Sequence, residues 1–240
     1  MRNEETLDDD SIFKTYLLGG AIEYDVNVAD TKSGCVAGLY MVETDNGTCG
    51  EVDQYGRPMC KSIDAMQANL FGFESKAHPC ANGTCDAVSE CIASMQEQGV
   101  EKYGKDAYGP FGTIINTNIS FHVLNEFIST KDYSKLWKLK TTLKQDGREI
   151  EMEADCRDYL DALYEPIEGG MGFVFSNWDN SAGEEDFEVE HKDQVDLGCD
   201  NSISYIANFT VHTWGHTEDM PPVPEPEPEP TPGPEPEPVA

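Results

Sequence analysis

A chain of 240 residues with 46 acidic and 16 basic side chains carries a formal charge of −30, at 38% hydrophobic content. No basic patch offsets that charge, and phosphate binding needs clustered Lys and Arg, so nucleic acid and anionic membrane surfaces are excluded as partners. With the Pro-Glu end set aside, about 220 residues remain, enough for one sizeable hydrophobic core.

Residues 1–12 are acidic and read as a disordered N-terminus. Ile22-Glu-Tyr-Asp-Val-Asn-Val28 alternates strictly and predicts a half-buried strand with Ile22, Tyr24, Val26 and Val28 on one face. Ala37 to Val42 predicts another strand, and Asp45-Asn-Gly47 a turn after it. Residues 80–110, rich in Cys, Gly and Asn, read as a long stapled loop. Strands resume at Phe121–Phe127, at Leu136–Leu143 and at Glu149–Glu153, the last two joined by an Asp146-Gly147 hairpin turn. Asp155–Tyr164 is the one good helix, with Cys156, Tyr159, Leu160 and Leu163 on a shared face. Met171–Trp178 reads as a buried strand, and Ile203–Val211 alternates again. Many strands, one short helix and long loops predict an all-β sandwich of antiparallel sheets. From residue 218 to 240 the chain is Pro-Glu-rich. Proline fixes φ and glutamates repel, so this stretch predicts an extended linker to further modules.

Eight cysteines occur, Cys35, Cys49, Cys60, Cys80, Cys85, Cys91, Cys156 and Cys199. None forms a Cys-x-x-Cys pair, which argues against a zinc ribbon and for four disulfides in an oxidising compartment. Four N-glycosylation sequons, at Asn46, Asn82, Asn118 and Asn208, point the same way, to a secreted, extracellular glycoprotein. Met1-Arg-Asn-Glu-Glu lacks the apolar region of a signal peptide, so the N-terminus is expected to be incomplete or trimmed. No stretch reads as a transmembrane span. His212-Thr-Trp-Gly-His216 has metal-like spacing but no evident third ligand. The acidic run Gly183–Asp186 reads as a solvated loop. No metal and no cofactor is expected, and no Ser-His-Asp triad can be assembled from sequence.

One stretch carries chemistry: Cys60-Lys-Ser-Ile-Asp-Ala-Met-Gln-Ala-Asn-Leu-Phe-Gly-Phe-Glu-Ser-Lys-Ala-His-Pro-Cys80. If it begins as a strand, Ser62 and Asp64 share a face. In a regular strand Gln67 falls on the opposite face. On its own the stretch is equally a half-buried strand with a polar side.

This stretch resembles the signature strand of glycoside hydrolase family 7, the cellobiohydrolases and endoglucanases. The resemblance extends collinearly over roughly residues 13–215. It takes in Tyr24-Asp-Val-Asn-Val, Gly38-Leu-Tyr-Met-Val, Tyr108-Gly-Pro110 and Gly169-Gly-Met-Gly-Phe-Val-Phe-Ser-Asn-Trp-Asp179. It implies a concanavalin A-like β-jelly-roll over residues 13–217, whose concave sheet lines a glucan groove. It further implies disulfides Cys35–Cys199, Cys49–Cys60, Cys80–Cys85 and Cys91–Cys156, and an N-terminus shorter than the family's, leaving sheet edges exposed.

Carried over residue by residue, the family's nucleophile and acid/base glutamates fall on Ser62 and Gln67. Only the Asp between them, Asp64, is kept, and a bend after Asp64 is implied. Retaining hydrolysis needs two carboxyls roughly 5–5.5 Å apart. Glutamine has no proton to give, and serine needs a partnered base before it attacks. Tyr40, His78, Trp178 and Phe187 match groove positions and suit sugar rings, whose C–H groups pack on aromatic faces. The expectation is a secreted, catalytically degenerate domain that binds a β-glucan polysaccharide such as cellulose. An active endoglucanase or cellobiohydrolase, and a structural surface protein without sugar affinity, stand as alternatives.

Overall fold

In a computed structural model, the described residues are 14–44, 60–79, 91–179, 199, 202–213, 215 and 217–218. The acidic N-terminal residues, the turn at residues 45–47, Phe187, the acidic run at 183–186, His216 and all of the Pro-Glu stretch but its first residue, Glu218, lie outside them. Strict alternation works as expected in β1 (Ala21–Asp30), where Ile22, Tyr24, Val26 and Val28 are all but fully buried and the residues between them face outward. The chain then forms β2 (Cys35–Glu43), β3 (Ser62–Ala68), β4 (Phe73–His78) and β5 (Ile92–Ser94). Next come a π-helical turn (Met95–Gly99), α1 (Val100–Tyr103) and the short parallel pair β6 (Tyr108–Gly109) and β7 (Ile115–Asn116). After these follow β8 (Phe121–Thr130), β9 (Leu136–Gln145), β10 (Arg148–Ala154), α2 (Arg157–Gly169), β11 (Met171–Asp179), β12 (Ile203–His212) and β13 (Thr217–Glu218).

Two antiparallel sheets face each other. One runs β11-β2-β3-β4-β5; the other runs β10-β9-β8-β1-β12, with β13 joined to β8 in parallel. Their inner faces share one core, in which Phe73 makes edge contacts with Tyr108 and Phe121. The β9–β10 hairpin turns on Asp146 and Gly147, both at positive φ, as a two-residue turn of right-handed strands demands. Outside the core, Lys138 pairs with Glu153 and Lys140 with Glu151 across that hairpin.

Three expectations change. Residues 91–110 are not one loop: Ser94 caps the π-helical turn by accepting from the Glu97 N–H, and helix and strand follow. The helix does not end at Tyr164. It runs to Gly169 through Pro166, because Pro166 and Ile167 continue the buried stripe of Leu160 and Leu163. Strand β11 is not buried. Only Met171 and Gly172 are covered, while Val174 and Phe175 are exposed, because β11 ends its sheet as β12 ends the other. The apolar run reflects an unsealed edge of the sandwich, where Phe173 meets Phe209 edge to face at 5.1 Å.

Disulfides Cys35–Cys199 and Cys91–Cys156 are formed. The first ties β2 to the residues before β12, and the second ties the start of β5 to the start of α2. Cys60 is also disulfide-bonded. Cys49, Cys80 and Cys85 lie outside the described residues.

Candidate active site

The outer face of the five-stranded sheet is built by register. Across β3 and β4, Ser62 opposes His78, Asp64 opposes Lys76 and Gln67 opposes Glu74. Across β2 and β3, Val42 opposes Ser62, Tyr40 opposes Asp64 and Gly38 opposes Gln67. Asp64 and Gln67 are three positions apart on β3, but their partners Lys76 and Glu74 are only two positions apart on β4. The surplus residue, Ala65, is a β-bulge, and it turns both Ala65 and Met66 into the core. The bulge is the bend implied by the resemblance. It moves Gln67 from the wrong face to the face of Ser62 and Asp64. The juxtaposition is direct: Gln67 Nε2 donates to Asp64 Oδ2 at 2.7 Å.

A bulge disrupts the ladder, so its carbonyl needs other donors. Ala65 O accepts from Ser75 Oγ at 2.9 Å and from Asn125 Nδ2 at 2.9 Å. Asn125 also donates to Thr141 Oγ1, and the Thr141 and Ser75 hydroxyls are 2.9 Å apart. All these side chains are buried, on β4, β8 and β9. The second sheet thus holds the bend of the first from beneath. At the far end, Asn69 Oδ1 accepts from the N–H groups of Phe71 and Gly72 and closes the β3–β4 turn, while its amide donates to Cys35 O.

Asp64 is buried and His78 half-buried, with His78 Nε2 at 3.1 Å from Asp64 Oδ2. Ser62 is half-buried. Gln67 Oε1 is buried and has no hydrogen-bond partner among the described residues. Beside this group lies an ion pair, Lys76 Nζ to Glu74 Oε1 at 2.6 Å, with both side chains at most 6% exposed. Glu74 and Lys76 were not singled out from sequence. The available clue was period two, since Glu74, Lys76 and His78 alternate with Phe73, Ser75 and Ala77.

Toward β11 the face becomes aromatic. Trp178 Nε1 donates to Tyr40 Oη at 2.7 Å, and both rings are half-buried. A Cβ on Gly38 would run into the Tyr40 ring, so Gly38 leaves the space over which that ring lies. The structure therefore brings Ser62, Asp64, Gln67 and His78 together, and joins Tyr40 to Trp178. Of the two sequons within the described residues, Asn118 is exposed, and Asn208 donates to Asp25 Oδ2 at 2.6 Å. His212 contacts Glu23 at 3.0 Å. Among the described residues no helix is long and apolar enough to cross a membrane.

No protein-family model matches the sequence, and no curated protein matches it. Solved structures do. An endoglucanase I complexed with cellobiose superposes with a TM-score of 0.63 at 14% identity, over 85% of this chain and 70% of that one. A GH7 family cellobiohydrolase from Daphnia pulex gives 0.61 at 15%, over 83% and 71%. A Melanocarpus albomyces cellobiohydrolase complexed with cellotetraose gives 0.58 at 15%, over 87% and 73%. At these identities the likeness establishes the fold, a family 7-like β-jelly roll.

Proposed function

We propose that this chain is a secreted, cellulase-like domain that binds β-1,4-glucan on its five-stranded face and does not carry out retaining hydrolysis. The observation that supports this reading is the floor itself. The bulge brings positions 62, 64 and 67 to one face, and two of the three hold a hydroxyl and an amide. A nucleophile and a proton donor are both missing from the positions where the resemblance places them, and general acid catalysis alone is worth about 10²–10⁴-fold. The joined Trp178 and Tyr40 rings provide a platform for a sugar, in line with the cellobiose and cellotetraose held by proteins of the same fold. Two disulfides and the exposed sequon at Asn118 suit an extracellular protein.

The test is a binding isotherm on cellulose and on cellotetraose. Retention that weakens about three- to tenfold in Trp178→Ala fits a stacking contact of about 0.5–1.5 kcal/mol. No retention by the parent protein would overturn the reading. The double change Ser62→Glu with Gln67→Glu restores two carboxyls to the shared face, and release of reducing sugar from a soluble glucan is its expected outcome.

One observation favours a second reading, residual hydrolysis. Glu74 places a carboxylate directly across from Gln67. Reducing-sugar release by the parent protein that disappears in both Asp64→Asn and Glu74→Gln would establish it.

A further inference from the structure

We propose that Asp64, His78 and Ser62 form an acyl-transfer relay, and that the groove hydrolyses carboxylic esters carried on a sugar ring. Serine at position 62 is inert without a partnered base. The fold supplies a candidate base from the next strand. His78 is the register partner of Ser62, and side chains so paired have Cβ atoms about 4.5–5.5 Å apart, within reach of a hydroxyl–imidazole hydrogen bond. Asp64 lies on the same face of β3, and its Oδ2 is 3.1 Å from His78 Nε2. A carboxylate, an imidazole and a hydroxyl therefore follow one another on one face, the order in which such a relay works. The Asp64–His78 link is formed in the structure; the link from Ser62 to His78 is what the proposal adds, and Nδ1 is the ring atom that would make it.

Burial suits the roles: Asp64 is covered, while His78 and Ser62, which must meet substrate, are both half-buried. The Gln67 amide donates at 2.7 Å to the same oxygen, Asp64 Oδ2, and helps fix the orientation of the carboxylate.

The step balances with water alone. Ser62 Oγ bonds to the ester carbonyl carbon as its proton passes to His78. The bond from that carbon to the sugar oxygen breaks, and the sugar leaves with the proton from His78. Water then attacks the acyl-serine, His78 takes its proton and returns it to Ser62, and a carboxylic acid departs. Ser62 and His78 are the catalytic residues, and Asp64 is a positioning residue. That the ester sits on a glycan rests on the reading of the groove given above; the relay itself does not.

The experiment treats the intact protein with a fluorophosphonate probe, maps the label by peptide mass spectrometry, and follows p-nitrophenyl acetate hydrolysis. A label on Ser62 is expected. So is a fall in hydrolysis of about 10²–10⁴-fold in Ser62→Ala and His78→Gln. Asp64→Asn should lower kcat with little change in KM and alter the pH profile, which a merely structural role would not do. An unlabelled parent protein, or a label on another residue, overturns the proposal without reference to any variant's folding. Cellotetraose binding on the same sample keeps the outcomes apart. Binding without labelling removes the relay and leaves the glucan reading, whereas labelling without binding does the reverse.

Discussion

The two halves of the five-stranded face are built on different principles. At β3 and β4 the floor is polar, with Asp64, Gln67, Glu74 and Lys76 buried and tied by named contacts: Gln67 and the half-buried His78 on Asp64, Lys76 on Glu74. At β11 the side chains are apolar or aromatic and largely open to solvent, with Val174 and Phe175 44% and 47% exposed. Position in the sheet explains the contrast. Strand β3 is central and backed by the second sheet, so its buried polar side chains are drawn into contacts with one another, Gln67 Oε1 being an exception among the described residues. Strand β11 ends the sheet, so burial there is incomplete whatever the sequence offers. A buried, hydrogen-bonded floor suits groups whose orientation matters, and an open aromatic flank suits a ligand that approaches from outside.

The sharpest way to test this contrast is to remove one aromatic ring from each region. Phe73→Ala empties a fully buried site shared with Tyr108 and Phe121 and should cost about 3–5 kcal/mol in urea unfolding. Phe175→Ala should cost less than about 0.5 kcal/mol, as exposed positions do. Equal costs would mean that the β11 edge is covered in solution.

Asn125→Ala comes next. It removes donors to Ala65 O and Thr141 from a closed buried network and should destabilise by about 1–3 kcal/mol. Because that network supports the bulge, its loss should also perturb the Gln67 and His78 resonances, far along the chain from the substitution. Unchanged resonances would show that the bulge stands without it.

A smaller effect is expected on the aromatic side. Gly38→Ala forces Tyr40 off its seat and breaks the bond from Trp178. Cellotetraose affinity should drop about three- to tenfold while the unfolding midpoint moves little, as titration calorimetry and a thermal melt would show.

The smallest effect concerns pH and the second sheet. The hydrogen bond from His212, aided by His122, lowers the Glu23 pKa, and hydrogen bonds from Asn208 and then His122 lower that of Asp25. Carboxyls lowered in the folded state contribute stability above their ordinary range and lose it as pH falls through the folded values. The melting temperature should therefore decline below pH about 4. In Asp25→Asn the decline should be shallower.

How legible all this is in the sequence depends on the element. Alternation in β1 and the Asp146-Gly147 turn are local properties, and the structure reproduces them. The disulfides Cys35–Cys199 and Cys91–Cys156, implied by resemblance, are formed. The exposure of β11 was hidden because an apolar run reads the same in a central strand and in an unsealed edge strand. The helix runs past Tyr164 because the buried stripe through Ile167 outweighs the one hydrogen bond that Pro166 removes.

Sequence alone determined the charge, the strand-rich class, the cysteine framework and the identities at positions 62, 64 and 67, because each is a property of composition or of residues near one another in the chain. Which of those residues meet was decided only in three dimensions. A strand read by period two sends Gln67 away from Asp64. The bulge at Ala65, held from the opposite sheet by Ser75, Asn125 and Thr141, brings it back and sets His78 opposite Ser62. Those supporting residues lie up to 76 positions further along the chain, beyond the reach of any local pattern.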